Sequence, residues 1–405
     1  MFRLEADRLI DGAHDLPHEP GVIVIADGHI TAVGGESRAS EPAPSFILTL
    51  PGCTLLPGLV DFHSHVGIDT RRSDLAVQVQ APPGEYLARG IGLLQEDLCA
   101  GATTIRLCGD HHGADLALRR AVEDDTIIAP RLLAAGRAIR SRRSSGGAVV
   151  SVLTDDAGEI SRAVQENIEA GVDLVKLFVS GGVGDPARDP TECFYTEAHV
   201  AAAVRPAHAA GRPVAVHLLG GPGVAAAVGG GVDVIEHGWF LTDGDLDLMV
   251  RRNVLLTITL GVLCGPHGHL FGGDPTAQAR LGALGEAARE TARKVIARRL
   301  PYVLGTDAVH GSLADELRWV VALGESPSRA IRAATARPAA ALGLGDQLGS
   351  LEPGKVADVI AVEGNPLDDI EAMTRVRLVV SRGRVVRAVG VGGRSDEEDR
   401  VRRPG

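Results

Sequence analysis

The chain has 405 residues and a formal net charge of −11, with 45% apolar and 23% charged residues. That length exceeds a single small core and suits one large domain beside a smaller one, while the composition argues against long disorder. The acidic balance speaks against nucleic acid as a partner, because phosphate binding needs a basic surface.

Aromatic residues make up only 3%, against 51 Gly and 22 Pro. The core must therefore be built from Ala, Val, Leu and Ile in a chain that turns often. The first residues, MFRLEADRLIDGAHDLP, carry acidic groups where a secretory leader needs an unbroken apolar stretch. No run of about 18 apolar residues occurs anywhere, so a cytoplasmic protein without membrane contact is expected.

In chain order, residues 1–57 read as short strands and turns. VIVIADGHITAVGG has β-branched alternation broken by Asp27-Gly28, which predicts a hairpin. Residues 58–348 contain eight short apolar runs: LVDFHSH, TTIRL, RLLAAG, DLVKLFV, PVAVH, DVIEH, VLLTITL and YVLGTD. Between them lie stretches with apolar residues at helical spacing, among them YLARGIGLLQEDLCA, ISRAVQENIEAG, TEAHVAAAVRPAHAAG and ARETARKVIARR. Eight such alternations predict a (β/α)8 TIM barrel, with a doubly wound open sheet as the main rival. Residues 349–390 read as strands again, so the two ends are expected to form a small β-sandwich domain. Residues 391–405, Gly- and charge-rich, read as a flexible tail.

The five cysteines, Cys53, Cys99, Cys108, Cys193 and Cys264, are odd in number and lack a CxxC pair. Neither a disulfide framework nor a thiolate zinc site is suggested. Cys264 beside His267 and His269 reads as a small structural thiol before it reads as a nucleophile.

Chemistry-bearing residues sit where the runs end. In a barrel the C-terminal strand ends converge on one rim. His63 and His65 end the first run, and their i, i+2 spacing turns both rings to one side of a strand, where they can share a cation. Lys176 lies inside the fourth run between Val175 and Leu177, where an ammonium is expensive to bury. His217, His237 and Asp307 end the fifth, sixth and eighth runs. Arg106, in TTIRL, reads as a buried partner for Asp110.

These segments, PGLVDFHSH, VDLVKLFVSGG, PVAVH, GVDVIEHG and GTDA, together with SPSRAIRAATARPAAALGL and LGSLEPGKVADVIAV, resemble the amidohydrolase superfamily. The chain looks most like its prolidase-like and imidazolonepropionase-like branch. The resemblance implies that Lys176 is carboxylated and that its carbamate bridges two divalent metal ions, held about 3.5–4 Å apart. Zinc is the first expectation, with manganese, cobalt or iron accepted by the same ligand types. His63, His65 and Asp307 would hold one ion, His217 and His237 the other. Burial disfavours an ammonium and so frees the amine to react. The implied reaction is hydrolysis of an amide or cyclic amide of a small molecule by metal-bound hydroxide, with Asp307 as both ligand and general acid–base.

The substrate is less legible. Tyr195, in ECFYTEAH, matches a family tyrosine near the substrate. His112 in LCGDHHGAD, His267 in GPHGHLF and Arg142 among the rim arginines Arg140, Arg142 and Arg143 are further substrate-binding candidates. Dipeptidase members of the branch carry a Gly-Gly-His stretch after the third strand and an aromatic or His after the fifth-strand histidine. Here those places read GRAIRSRRSSGGAV and HLLGG, which puts dipeptide specificity in doubt. Alternatives are therefore an Xaa-Pro-type or other dipeptidase, a mononuclear-metal deaminase or dechlorinase, and a barrel that binds a metabolite without turning it over. Assembly into a homo-oligomer is left open.

Overall fold

The computed structural model describes residues 1–14, 16–34, 44–144, 151–181, 188–265, 275–390 and 392–395. The strands are β1 (Phe2–Leu9), β2 (Gly21–Ala26), β3 (His29–Val33), β4 (Phe46–Pro57), β5 (Leu59–Ser64), β6 (Ala102–Leu107), β7 (Arg131–Leu133), β8 (Ala138–Arg140) and β9 (Ser151–Leu153). They continue with β10 (Val175–Phe178), β11 (Val214–Gly220), β12 (Val234–Phe240), β13 (Leu255–Ile258), β14 (Tyr302–Leu304), β15 (Val359–Glu363), β16 (Val376–Ser381), β17 (Arg384–Ala388) and β18 (Gly392–Ser395). The contacts divide the chain into two compact units, one of residues 1–60, 97–103 and 325–405, the other of residues 61–96 and 104–324.

The first unit is built on an eight-stranded sheet in the order β17-β16-β15-β4-β1-β2-β3, with β18 also on β4. The Asp27-Gly28 signal is met by a two-residue turn, with Ala26 opposite His29 and both turn residues at positive φ. That backbone matches the twist of the paired strands. Alternation does the rest: Phe2, Leu4, Ala6 and Leu9 of β1 are buried with Ile23, Ile25, Leu55, Val359 and Leu378. The two ends of the chain meet at β4, where Pro57 opposite Val359 starts an antiparallel ladder. The stretch read as a flexible tail contributes β18 to the same strand, through Gly392 opposite Thr49.

The second unit carries two parallel sheets, β14-β13-β12-β11-β10-β8-β9 and β5-β6-β7. Their strands bury both faces, so β5 and β6 are covered along their whole length, and they read as continuous apolar runs rather than alternating ones. Each of the eight runs contains a strand, and the four helical stretches lie on helices Pro83–Cys99, Ala157–Glu169, Glu197–Ala209 and Pro275–Ala297. The helix starts are chemically marked, as where Asp156 accepts the Glu159 backbone N–H at 2.9 Å. In this unit two strands were not anticipated. β8 and β9, three residues each within a stretch read as loop, are too short to show a period. Among the described residues no helix is long and apolar enough to cross a membrane.

Candidate metal centre

The parallel strands deliver their polar residues to one place. His63 of β5 and His65, just beyond that strand, have rings 5.5 Å apart, His63 and His237 of β12 are 4.8 Å apart, and His217 of β11 and His237 are again 4.8 Å apart. Asp307, just beyond β14, brings Oδ1 to 3.3 Å from His63 Nε2 and 3.5 Å from His65 Nε2, and Oδ2 to 4.0 Å from His237 Nδ1. One nitrogen or oxygen from each of His63, His65 and Asp307 lies within 4.8 Å of the others, a spacing that one ion could span.

A clasp positions these groups. Asp61 Oδ1 accepts the backbone N–H of His63 and of Thr306, each at 3.1 Å, and its Oδ2 accepts the Thr306 hydroxyl at 2.6 Å. The Asp307 N–H donates to the His63 carbonyl at 2.8 Å. Gly305 is required by the same closeness, because a Cβ there would lie 2.6 Å from His63 Cβ and 2.7 Å from its backbone nitrogen.

Each ring is also held from behind. His63 Nδ1 is 2.7 Å from Glu236 Oε2, His65 Nδ1 is 2.7 Å from the Gly109 carbonyl, and His237 Nδ1 is 2.8 Å from Thr259 Oγ1. In His63 and His65 the partner of Nδ1 leaves Nε2 toward Asp307, as second partners of metal-ligating histidines do. His217 turns Nε2 to the Gly181 carbonyl at 3.1 Å.

Electrostatics divides the rings. For His63, burial opposes the charge but Cys108, Glu236 and Asp307 outweigh it and raise its pKa well above the ordinary value. For His65, burial again opposes and Asp307 and Asp110 win, so the shift is upward. Burial, joined by Lys176, pulls His217 down to about 3, and burial holds His237 well below its usual value. Burial disfavours the Asp307 carboxylate too, yet hydrogen bonding and charge from His63, then His65 and His237, keep it ionised. The result is an ionised Asp307 carboxylate beside two neutral imidazoles, ligand types that borderline divalent cations accept.

Lys176 is 1% exposed, and its Nζ has no hydrogen-bond partner. It lies 5.6 Å from the Phe178 ring centre and acts electrostatically on His63, His217 and His237. A buried amine so placed fits a group that would give it two oxygens facing cations. Burying an ammonium there is costly, and the nearby Glu236 carboxylate is already paired with Arg106 and His63.

The substrate-side candidates are less concentrated. Tyr195 is 1% exposed and its hydroxyl donates to the Thr154 carbonyl at 2.7 Å. His112 is exposed, in a short turn at φ 59°, with its ring 5.9 Å from that of Tyr86. Arg142 is 63% exposed at the side chain and stands 3.8 Å from Glu159. His267 lies outside the described residues.

The structure corrects the pairing of Arg106. Its Nη2 meets Glu236, its Nε donates to the Phe62 carbonyl at 2.5 Å, and Asp110 instead accepts from the Val66 N–H and the Tyr86 hydroxyl, each at 2.9 Å. Sequence reasoning missed Glu236, although a carboxylate inside the apolar run VIEH was the available signal. Cys108 was also missed: it falls within 4.8 Å of donor atoms of His63 and Glu236. A further group in the first unit brings His14 Nδ1 and His18 Nε2 to 2.6 and 3.1 Å from the buried Asp11 carboxylate.

Histidines and an aspartate gather at the ends of parallel strands in an α/β fold of the TIM-barrel type. The chain belongs to the amidohydrolase family, whose sequence model matches residues 54–386, and is a hydrolase acting on carbon–nitrogen bonds. It is similar to the ochratoxinase of Aspergillus niger, 29% identical over 93% of this chain and 85% of that protein. It is also similar to the imidazolonepropionase of Symbiobacterium thermophilum, 28% identical over 90% of each. Among solved structures, a Xaa-Pro dipeptidase with methionine bound in its active site matches with TM-score 0.84 and 28% identity, covering 96% of this chain and 100% of that one.

Proposed function

We propose that the protein is a binuclear metal-dependent amidohydrolase that cleaves the C–N bond of a small amide or cyclic amide. The observation that carries this reading is Lys176, a buried amine without a hydrogen-bond partner amid His63, His217 and His237. In this reading the parallel sheets are arcs of one closed barrel. His63, His65 and Asp307 would hold one ion and His217 and His237 the other, with Lys176, as its carbamate, supplying a further anionic ligand.

When bound, the two cations supply an activated water and polarise the scissile carbonyl. Asp307, with 23% of its side chain open, accepts a proton at Oδ2, the oxygen nearer His237, and returns it to the leaving nitrogen. Glu236 holds the His63 tautomer and Gly109 that of His65, so both rings offer Nε2. His217 and His237 remain neutral donors because burial disfavours their protonated forms.

The test is elemental analysis of protein loaded with zinc or manganese in 13C-bicarbonate, with 13C NMR. Two equivalents of metal and a carbamate signal that is lost in Lys176→Met are expected. One equivalent and no carbamate would favour a mononuclear deaminase-type site instead.

A further inference from the structure

Three arginines close together beside β8 have different surroundings. Arg142 and Arg143 are each 60% or more exposed at the side chain and each faces an acid, Glu159 at 3.8 Å and Asp155 at 3.6 Å; Arg143 also donates to the Phe194 carbonyl at 2.6 Å. Arg140 ends β8 half-buried, its Nε is buried with no hydrogen-bond partner, and no carboxylate among the described residues pairs with it. The ionisable group it feels is the Tyr195 phenol, which burial keeps protonated.

The register says where Arg140 points. It lies opposite Phe178 in β10, and Phe178 lies opposite His217 in β11. Residues in register on neighbouring parallel strands project to the same face, and strands are spaced about 4.8 Å apart. Arg140, Phe178 and His217 therefore form one rung, about 10 Å from end to end at the backbone. The rung is packed, with the His217 ring stacked on Phe178 at 5.0 Å and Lys176 Nζ on the same ring at 5.6 Å. A half-buried guanidinium without a counter-ion is costly unless an anion arrives to pair with it, and its planar fork matches a carboxylate in a two-pronged hydrogen bond.

We infer that Arg140 is the anion-recognition residue of this site and that the substrate carries a free carboxylate, as an N-acyl amino acid does, with its amide toward His217 and Asp307. This deepens the amidohydrolase reading and rests on it for the identity of the reacting bond. It also moves the arginine of interest from Arg142, which is exposed beside Glu159, to Arg140.

The experiment compares N-benzoylglycine with its neutral analogue N-benzoylglycinamide on the metal-loaded protein, measuring equilibrium binding and turnover separately. The parent is expected to bind the carboxylate about 10- to 100-fold more tightly than the neutral compound, the range of a charged hydrogen-bonded pair. Arg140→Met should abolish that preference by weakening N-benzoylglycine alone, and Arg140→Lys should restore part of it. Circular dichroism of both variants checks the fold. Equal binding of the two compounds by the parent, no binding of either, or an undiminished preference in Arg140→Met overturns the inference. A preference that is present and Arg140-dependent, without hydrolysis of either compound, would retain it and count against the hydrolytic reading instead.

Discussion

His237 and Asp307 are both held in left-handed backbone, at φ 73° and 52°, with their side chains 4.0 Å apart. Non-glycine residues adopt that region at a cost of about 1–3 kcal/mol each, and they keep it only where surrounding structure dictates it. Here the His63 carbonyl takes the Asp307 N–H, and Thr259 takes the His237 ring. Strain at two residues that meet across a cluster of imidazoles is stored where chemistry would use fixed geometry.

Asparagine tolerates the same backbone, so Asp307→Asn should fold with an unchanged circular dichroism spectrum. Turnover should fall by about 100- to 10,000-fold, the usual contribution of a positioned proton carrier. Steady-state kcat on any hydrolysed amide measures it, and activity within tenfold of the parent would remove Asp307 from the acid–base role.

The buried Arg106–Glu236 pair makes a stability prediction. Glu236 is fully enclosed; burial opposes its charge, and Arg106, His63 and Lys176 together hold it ionised. Arg106→Met leaves that carboxylate without its principal partner and should cost about 3–5 kcal/mol. Urea unfolding will read this as a lower midpoint at constant slope. Adding Glu236→Leu should recover part of the loss, as apolar replacement of a whole buried pair does.

Glu316, on the helix Leu313–Ala322, receives the backbone N–H groups of Leu260 and Gly261 at 2.9 and 2.5 Å, yet burial pushes its carboxyl up to about 8. A carboxyl raised in the folded state binds more protons folded than unfolded between its two values. Its contribution is therefore fully present below about pH 4.3, the unfolded value, and is lost as pH rises toward 8. Unfolding free energies measured from pH 5 to 8 should fall in the parent by up to about 1.4 kcal/mol per unit relative to Glu316→Gln. Parallel curves for the two proteins would contradict the shift.

Gly305→Ala introduces a methyl group into the backbone of His63. The strand end must yield by several tenths of an ångström, so the loss should appear in metal retention at dialysis before it appears in helix content. Elemental analysis beside circular dichroism separates the two, and full metal retention would show that the site accommodates the shift.

Much of the architecture was readable because both layers announce themselves. Strands covered on two faces leave continuous apolar runs, as in PVAVH, and the helices between them show three- and four-residue spacing. The i, i+2 relation of His63 and His65 survives translation into structure because strand geometry leaves little freedom. What could not be read are relations made across the chain. Arg106 has Asp110 nearby in sequence, yet it meets Glu236, since inward projection from two parallel strands decides the pairing. Likewise, Arg140 and Arg142 look alike in a string of letters; only strand register distinguishes the half-buried residue from the exposed one. β8 and β9, at three residues, are shorter than the period needed to recognise them.

The clasp of Asp61 on Thr306 joins an early strand to the turn that follows β14. A nascent chain emerging from the ribosome would present its histidine pair long before the acid that faces them had been synthesised. Fragments that stop short of Thr306 thus carry His63 and His65 with no neighbouring Asp307, and with nothing holding the two strand ends together.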